Sequence, residues 1–217
     1  PNGVDLPALQ PMDAPEWAAA TERGRFTLLY LSRLHPGKGL PELIDAWKSV
    51  ASKNTAWQLV IAGWGAEGYV SQLKRKVLDT GLGNSVIFVG PQLGMRKHAT
   101  FLYADAFILP SCSEALPMAM LEAWSYALPV IQTQQCNLPE GVRAGAAIEI
   151  QPDSASIAGA LRTLFDMTPE QRALMGAQGR ALVERQFTWQ SVAARMDRLY
   201  QWARDGGAYP SELEWHR

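Results

Sequence analysis

Residues 105–123 of the chain read DAFILPSCSEALPMAMLEA. The apolar run that ends at Leu109 is typical of a buried parallel strand, and Pro117 suits the first turn of a helix, where its missing N–H costs nothing. Glu114 therefore lies on a strand-to-helix loop, and Glu122 lies about two turns into the helix. Taken alone, this pair is most simply explained as two solvated glutamates near a helix start.

The start of this helix is also an expected anion site. The first N–H groups of a helix have no partner within it, and the helix dipole favours negative charge there. The N–H groups near Met118 and Ala119 would then face a diphosphate that lies between two hydroxyl-binding carboxylates. This arrangement is the chemistry needed to hold a nucleotide sugar.

Short apolar runs alternate with segments of helical period through most of the chain. Each run is apolar on both faces and is closed by Gly, Pro or Ser, which is typical of βαβ units. The sequence predicts an α/β fold: a Rossmann-like, doubly wound parallel sheet of about six strands with helices on both faces, followed by C-terminal helices. The predicted strands are Phe26–Ser32, Trp57–Ala62, Ser85–Val89, Asp105–Leu109, Pro129–Thr133 and Ala146–Ile150. The predicted helices are Leu40–Ser52, Glu67–Thr80, Met95–Tyr103, Pro117–Tyr126, Ser154–Asp166, one that starts at Pro169 with Thr168 as its N-cap, and Thr188–Arg204.

The predicted domain division has three parts. Residues 1–25 are expected to be an interdomain linker with a short helix near Pro15–Arg23, residues 26–205 a nucleotide-sugar-binding domain, and residues 206–217 a C-terminal tail. Because the chain starts at Pro1 without a methionine, we expect a fragment or a processed product.

Composition argues against several classes of function. With 217 residues, 47% of them hydrophobic, the chain can bury a full core, and a net charge of -1 without a basic stripe argues against a nucleic-acid partner. Scattered histidines without metal-ligand spacing predict no metal site, and no apolar stretch approaches the length of a membrane span. Cys112 and Cys136 lie beside apolar runs and are expected to be buried, reduced thiols.

In doubly wound sheets, ligands gather outside the carboxyl ends of the strands. The first strand delivers Arg33 and Lys38 there, and Gly37 and Gly39 in the same loop allow close backbone approach. Two cations near a helix N-terminus suit a diphosphate and would also stabilise a departing one. For this loop alone, a solvated turn with ordinary surface charges is an equal alternative.

Residues 63–68 match the dinucleotide fingerprint GxGxxG, but after the second strand rather than the first. The next strand also ends without the acidic residue that would bind a ribose. Gly63 and Gly65 are therefore expected to line a turn close to some ligand, with a plain tight turn as the alternative. Backbone groups of Val89 and Gly90 are candidates for contact with a nucleobase edge. Asn137 and Glu140, after the fifth strand, either face the site or cap local structure, and we favour the latter.

Together these loops resemble the nucleotide-sugar-binding half of a GT-B glycosyltransferase, in the large retaining family called family 4 or group 1. The resemblance covers nearly the whole chain. Residues 1–5 are similar to its interdomain linker, residues 33–39 to its phosphate-binding loop, residues 63–65 to its glycine turn, and residues 88–90 to its base-contacting strand end. Glu114 and Glu122 match its E-x7-E signature.

The resemblance implies a role for each loop. Arg33 and Lys38 would contact the donor diphosphate, Glu114 the hydroxyl groups of the transferred sugar, and Glu122 the ribose. The backbone offered to sugar or phosphate would belong to Leu116, Pro117, Met118 and Ala119. The donor would be a UDP-, GDP- or ADP-linked sugar, bound without a metal. The enzyme would be cytoplasmic, with peripheral contact at the inner membrane surface when complete, and this chain alone would lack the acceptor-binding N-terminal domain and transfer little or nothing.

Some positions depart from the family pattern, and three competing interpretations stay open. The family often has glycines where this chain has Ala115 and Pro117, and a different helix sequence where it has Trp124. The alternatives are a dinucleotide-dependent oxidoreductase domain based on residues 63–68, a GT-B epimerase of nucleotide sugars, and a non-catalytic nucleotide-sugar-binding module. We favour the transferase because several independent loops agree.

Overall fold

The computed structural model describes residues 2–21 and 24–206. Within them, six strands form a single parallel sheet in the order β3-β2-β1-β4-β5-β6. The strands are β1 (Phe26–Leu31), β2 (Trp57–Ala62), β3 (Val86–Gly90), β4 (Ala106–Leu109), β5 (Val130–Thr133) and β6 (Ala147–Ile150).

Helices connect these strands and extend the chain beyond the last one. Three short 3-10 helices cover Glu16–Ala20, Pro36–Lys38 and Gln134–Cys136. The α-helices are α1 (Leu40–Ala51), α2 (Glu67–Asp79), α3 (Gly94–Leu102), α4 (Met118–Ser125), α5 (Pro139–Arg143), α6 (Ser154–Asp166), α7 (Pro169–Gln186) and α8 (Trp189–Asp205). Helix α1 packs against α2 and α6, whereas α4 packs against α7.

The strand order makes the sheet doubly wound. The chain runs outwards from β1 to β3, returns through α3 to β4, and then runs outwards on the other side to β6. Because crossovers between parallel strands are right-handed, this reversal places the two sets of helices on opposite faces of the sheet. The predicted fold is confirmed, and the reversal leaves a crevice between the carboxyl ends of β1 and β4, where ligands of such sheets bind.

The bounds of the strands and of the predicted α-helices differ from the predicted ones by no more than one residue, whereas the short N-terminal helix ends three residues earlier than predicted. Helix α5 and the 3-10 turn before it were not predicted, because these segments are too short to show a helical period. Strands β2, β4 and β5 are buried along their whole length, as expected for strands covered on both faces.

Trp124 lies at the centre of the core and is fully buried. Its indole N–H donates to the carbonyl of Ala146 at 3.1 Å. A side chain added at Gly141 or Gly179 would overlap the indole ring, so these two glycines provide the space that the large side chain requires. The large side chain at this position is therefore accommodated within the core.

The N-terminal segment lies against the C-terminal helices. The N–H of Val4 donates to the carbonyl of Phe187 at 2.8 Å, and Gly3 packs against the backbone of Trp189. The guanidinium of Arg180 donates to the carbonyl of Pro7 at 3.0 Å. Residues 3–7 are thus held by α7 and α8, while their assignment to an interdomain linker stays a prediction.

Two further predictions concern termini and cysteines. The short helix expected near residues 15–23 is the 3-10 helix at 16–20. Residue 1, residues 22–23 and the tail beyond residue 206 lie outside the described residues.

Cys136 is buried as predicted, whereas Cys112 is exposed, so the prediction was wrong for that thiol. Its position on a loop at the carboxyl edge of the sheet explains the exposure.

Candidate functional site

The loop after β1 and the loop after β4 meet at the crevice. The N–H of Cys112 donates to the carbonyl of Gly37 at 2.9 Å, and the Ser111 hydroxyl donates to the same oxygen at 3.2 Å. Gly39 faces the carbonyl of Pro110 so closely that a Cβ atom would overlap it. These contacts fix the two loops, which carry the predicted cations and the first predicted carboxylate, relative to each other.

Lys38 and Glu114 form a direct ion pair across this contact. The Nζ atom of Lys38 lies 2.6 Å from Oε1 of Glu114, and the two side chains are only 15% and 11% exposed. The sequence predicted that both side chains contact the same ligand. In the structure they lie in direct contact with each other. Because each charge lies near the surface but largely out of water, the pair is a compact polar site rather than two solvated side chains.

The backbone of Glu114 is held by the loop after β5. Its N–H donates to the carbonyl of Gln135 at 3.0 Å, and its carbonyl accepts from the side-chain amide of Asn137 at 2.6 Å. Asn137 has a φ of 55°, a left-handed conformation that Asn tolerates better than most residues. The sequence favoured local capping for Asn137 over a position facing the site, whereas its side chain holds the backbone of Glu114; Asn137 lies in the loop after β5, at the same sheet edge.

Replacing Asn137 by alanine is expected to lower the free energy of unfolding by about 1–2 kcal/mol, because it removes this hydrogen bond and leaves a Cβ residue in the left-handed region. Glycine at the same position also removes the hydrogen bond, but it adopts the left-handed conformation without strain. Asn137→Gly should therefore be the milder change. Urea denaturation of both variants measures the difference. Equal losses would show that left-handed strain makes no contribution.

Glu122 also has a lysine partner. Oε1 of Glu122 lies 2.6 Å from Nζ of Lys97 on α3, and the side chains are 25% and 33% exposed. Lys97 was not predicted, because nothing in the helical pattern around it distinguishes it from other charged residues on helix surfaces. Each glutamate of the predicted pair is therefore charge-compensated by a lysine from a neighbouring element.

The start of α4 differs in detail from the predicted anion site. Pro117 lies at the N-cap, one residue before the helix, and contributes no N–H. The N–H of Met118 donates to the carbonyl of Leu116 at 3.0 Å, so the prediction of a free N–H was wrong there. Among the described residues, the N–H groups of Leu116 and Ala119 have no hydrogen-bond partner, and these two remain available to a ligand.

Arg33 belongs to the same loop as Lys38, and its side chain is exposed. Its guanidinium makes no hydrogen bond or ion pair to any residue within 2–21 and 24–206, while its carbonyl accepts from the Tyr30 hydroxyl at 3.3 Å. A cation without a protein partner at the mouth of a crevice can bind an anion without breaking an existing contact.

The glycine turn after β2 is needed by the protein's own backbone. A Cβ atom at Gly63 would overlap the carbonyl of Ser32, and one at Gly65 would overlap the carbonyl of Leu34. By contrast, a Cβ atom at Gly68 would meet nothing within 4 Å. The third glycine of a dinucleotide fingerprint serves close helix–strand packing, which is absent at Gly68. The oxidoreductase alternative is therefore not favoured by the packing at Gly68.

A cavity of about 410 Å³ lies next to this turn. The ends of the first three strands contribute backbone to it through Leu34, Gly63, Gly65 and Gly90. The ring of Phe88 lies in its wall, with the ammonium of Lys74 5.9 Å from the ring centre. A cavity of this size, lined by apolar side chains and a few polar groups, is suited to a small ligand.

The predicted backbone contacts at the end of β3 are partly occupied. The carbonyl of Val89 accepts from the Gln92 side chain at 2.9 Å, and the carbonyl of Gly90 accepts from the N–H of Gly63 at 2.9 Å. The Val89 side chain lines a separate cavity together with Trp17, whereas Gly90 lines the cavity of about 410 Å³. Of the two predicted residues, only Gly90 faces that cavity.

Within residues 2–21 and 24–206, no group of three His, Cys, Asp or Glu side chains is placed so that it could hold a metal ion. None of the helices in those ranges combines the length and apolar character that a membrane crossing requires.

The sequence family is decided by comparison with known proteins. The model of the family described as "Glycosyl transferases group 1" matches residues 14–182. The chain belongs to this family. The resemblance drawn from the loops is thereby confirmed, and the competing interpretations outside this family are not favoured.

Relatives within the family illustrate its range. The chain is 31% identical over 214 residues to a protein of Corynebacterium glutamicum named GDP-mannose-dependent monoacylated alpha-(1-6)-phosphatidylinositol monomannoside mannosyltransferase, covering 93% of this chain and 55% of that protein. It is 29% identical over 209 residues to the glycogen synthase of Mycobacterium tuberculosis, covering 92% of this chain and 49% of that protein. The chain thus spans about half the length of the curated relatives it matches.

A solved structure confirms the GT-B architecture. The C-terminal domain of a group 1 glycosyl transferase, LpcC from Francisella tularensis, superposes with a TM-score of 0.75 at 24% identity, covering 87% of this chain and 100% of that one. HepE from Anabaena, solved with UDP and glucose, gives a TM-score of 0.72 at 21% identity over 82% of this chain and 48% of that one. At these identities the likeness concerns the fold alone.

Proposed function

We propose that this chain binds a nucleotide sugar in the crevice between β1 and β4, as the donor-binding part of a retaining family 4 glycosyltransferase. The observation that carries the proposal is the Lys38–Glu114 ion pair at 2.6 Å, placed where the strand order reverses. The group 1 membership and the naming of relatives as glycosyltransferases support it.

The diphosphate would be bound by Arg33, Lys38 and the free N–H of Ala119. Arg33 has no competing partner among the described residues, and Lys38 carries three donors, so it can bind an anionic oxygen while it keeps Glu114. As the bond to the sugar breaks, negative charge develops on the departing phosphate. Cations held in place before the reaction stabilise that charge without reorganisation.

The remaining predicted residues would hold the other parts of the donor. The Glu114 carboxylate would accept from hydroxyl groups of the transferred sugar, and Glu122 from the ribose, with Lys97 fixing the orientation of its carboxylate. The nucleobase would lie in the cavity of about 410 Å³ along Gly63, Gly65 and Gly90. The relatives do not select the base, since one is named GDP-mannose-dependent and another was solved with UDP.

Transfer would require an acceptor-binding half in addition to the residues described. The chain spans about half the length of its curated relatives, which supports a two-domain enzyme whose reaction occurs between the halves. In the proposed mechanism the nucleoside diphosphate leaves from the face that the acceptor attacks, so the leaving phosphate helps to deprotonate the acceptor and configuration is retained. The chain alone would bind donor without transferring it, and a cytoplasmic, membrane-peripheral location of the complete enzyme stays a prediction.

Calorimetry with UDP, GDP and ADP, free and sugar-linked, tests the donor site. We expect at least one of them to bind, and Lys38→Ala to weaken that binding about tenfold or more, because a charge-assisted hydrogen bond is lost. Lys53→Ala is the matched control. Lys53 is an exposed lysine that follows the end of α1, whereas Lys38 precedes the start of that helix. Absence of binding by all six ligands would contradict the proposal.

A further inference from the structure

One wall of the cavity beside the glycine turn is formed by α2. Glu67, Ser71 and Lys74 line it, and they lie at positions i, i+4 and i+7 of the helix, hence on one helical face. Ile61 and Phe88 line the same cavity from the sheet. The cavity therefore combines apolar strand side chains with a row of three polar groups that the donor site has not yet used.

This combination suits the edge and faces of a nucleobase. A flat ring needs apolar contact for its faces and a small number of polar groups along its edge. Leu34 belongs both to this cavity and to the loop that carries Arg33 and Lys38, so a base in the cavity is joined to the proposed diphosphate site by one short segment.

The polar groups select among the bases. A carboxylate accepts hydrogen bonds and donates none, and it binds best to two adjacent donors. Guanine presents such a pair in its N1–H and its 2-amino group, whereas uracil has a single imide N–H and adenine a single amino group. An ammonium, in turn, donates to an oxygen such as O6 of guanine. Seven residues along a helix span about 10 Å, enough for a purine edge with a hydrogen bond to each end.

We propose that Glu67 and Lys74 make this cavity selective for guanine, so that the donor is a GDP-linked sugar; the inference rests on the proposed donor site. Glu67 accepts from N1–H and from the 2-amino group, and Lys74 donates to O6. Ser71 lies between them on the same face and donates to the base edge or accepts from it.

The test compares GDP with inosine diphosphate, which lacks only the 2-amino group. Calorimetry on the native chain is expected to give GDP about tenfold tighter binding than inosine diphosphate, UDP or ADP. In Glu67→Gln, binding of GDP should weaken about tenfold and become equal to that of inosine diphosphate. Lys74→Met should weaken the binding of GDP and of inosine diphosphate by the same factor, because both bases carry O6.

Glu170→Gln is the matched control. Glu170 is an exposed glutamate in the first turn of α7, as Glu67 is in the first turn of α2, but it does not line the cavity. Thermal melting of each variant checks that the fold is kept. If GDP, inosine diphosphate, UDP and ADP bind alike, or if Glu67→Gln keeps the preference for GDP, guanine selection is overturned while the donor site stands. If none of the four binds and the sugar-linked forms of UDP, GDP and ADP also fail to bind, both proposals fall.

Discussion

Replacing Glu114 by alanine in the proposed complete enzyme is expected to lower sugar transfer by about a hundredfold to a thousandfold, the loss typical when one preorganised polar group is removed from an active site. The reason is that the carboxylate is held on both sides before the donor arrives, by Lys38 at its side chain and by Gln135 and Asn137 at its backbone. Steady-state transfer rates with a saturating donor measure the effect.

Binding data separate this role from a structural one. Glu114→Ala removes the contact to the sugar but leaves Lys38 without its carboxylate partner, so the free nucleoside diphosphate should bind as well as before or more tightly. Glu149→Ala, at an exposed position on β6, is the control and should keep normal transfer. Near-normal turnover in Glu114→Ala would remove the assigned role, and loss of nucleoside diphosphate binding would assign the residue to the fold instead.

The architecture could be predicted from the sequence because the strands are short, mostly apolar runs that alternate with segments of helical period. Residues 57–62 and 106–109 are buried without exception, so their pattern contains no alternation that would suggest an antiparallel sheet. The order of the strands was not predicted in detail, since pairing depends on contacts between distant segments. Helix α5 was missed because five residues are too few to show a helical period.

The charged site residues that were predicted lie mostly in loops that follow a strand. Contacts that depend on the packing of two helices or on a side-chain conformation were missed. Lys38 and Glu114 each follow a strand that ends at the crevice, so topology alone brings them near each other. Lys97 contacts Glu122 only because α3 and α4 lie side by side, and a helical period does not reveal which helices are neighbours. The occupied carbonyl of Val89 depends on the conformation of the Gln92 side chain, which no sequence pattern specifies.

The glycines of the phosphate-facing loops show a related limit. The sequence indicates that a glycine is needed, but the contact that requires it is decided by the fold. Gly63 and Gly65 were expected to approach a ligand, and the structure shows that their missing side chains make room for the carbonyls of Ser32 and Leu34. Gly39, in the loop that carries Lys38, likewise makes room for a backbone carbonyl, that of Pro110.

Gly39→Ala is expected to lower the free energy of unfolding by about 3 kcal/mol, the sum of left-handed strain and a steric overlap. Gly39 has a φ of 69°, and its added Cβ would overlap the backbone carbonyl of Pro110, which cannot rotate away as a flexible side chain would. Chemical denaturation measures the loss.

Gly37→Ala tests the cause, because Gly37 lies in the same loop but its Cβ would meet only the His35 ring, at 3.6 Å, an ordinary contact. This variant should lose less than about 1 kcal/mol. Equal losses in the two variants would show that the contact of Gly39 with Pro110 is not the cause. Since that contact also sets the distance between Lys38 and Glu114, Gly39→Ala should weaken nucleoside diphosphate binding even at temperatures where it remains folded.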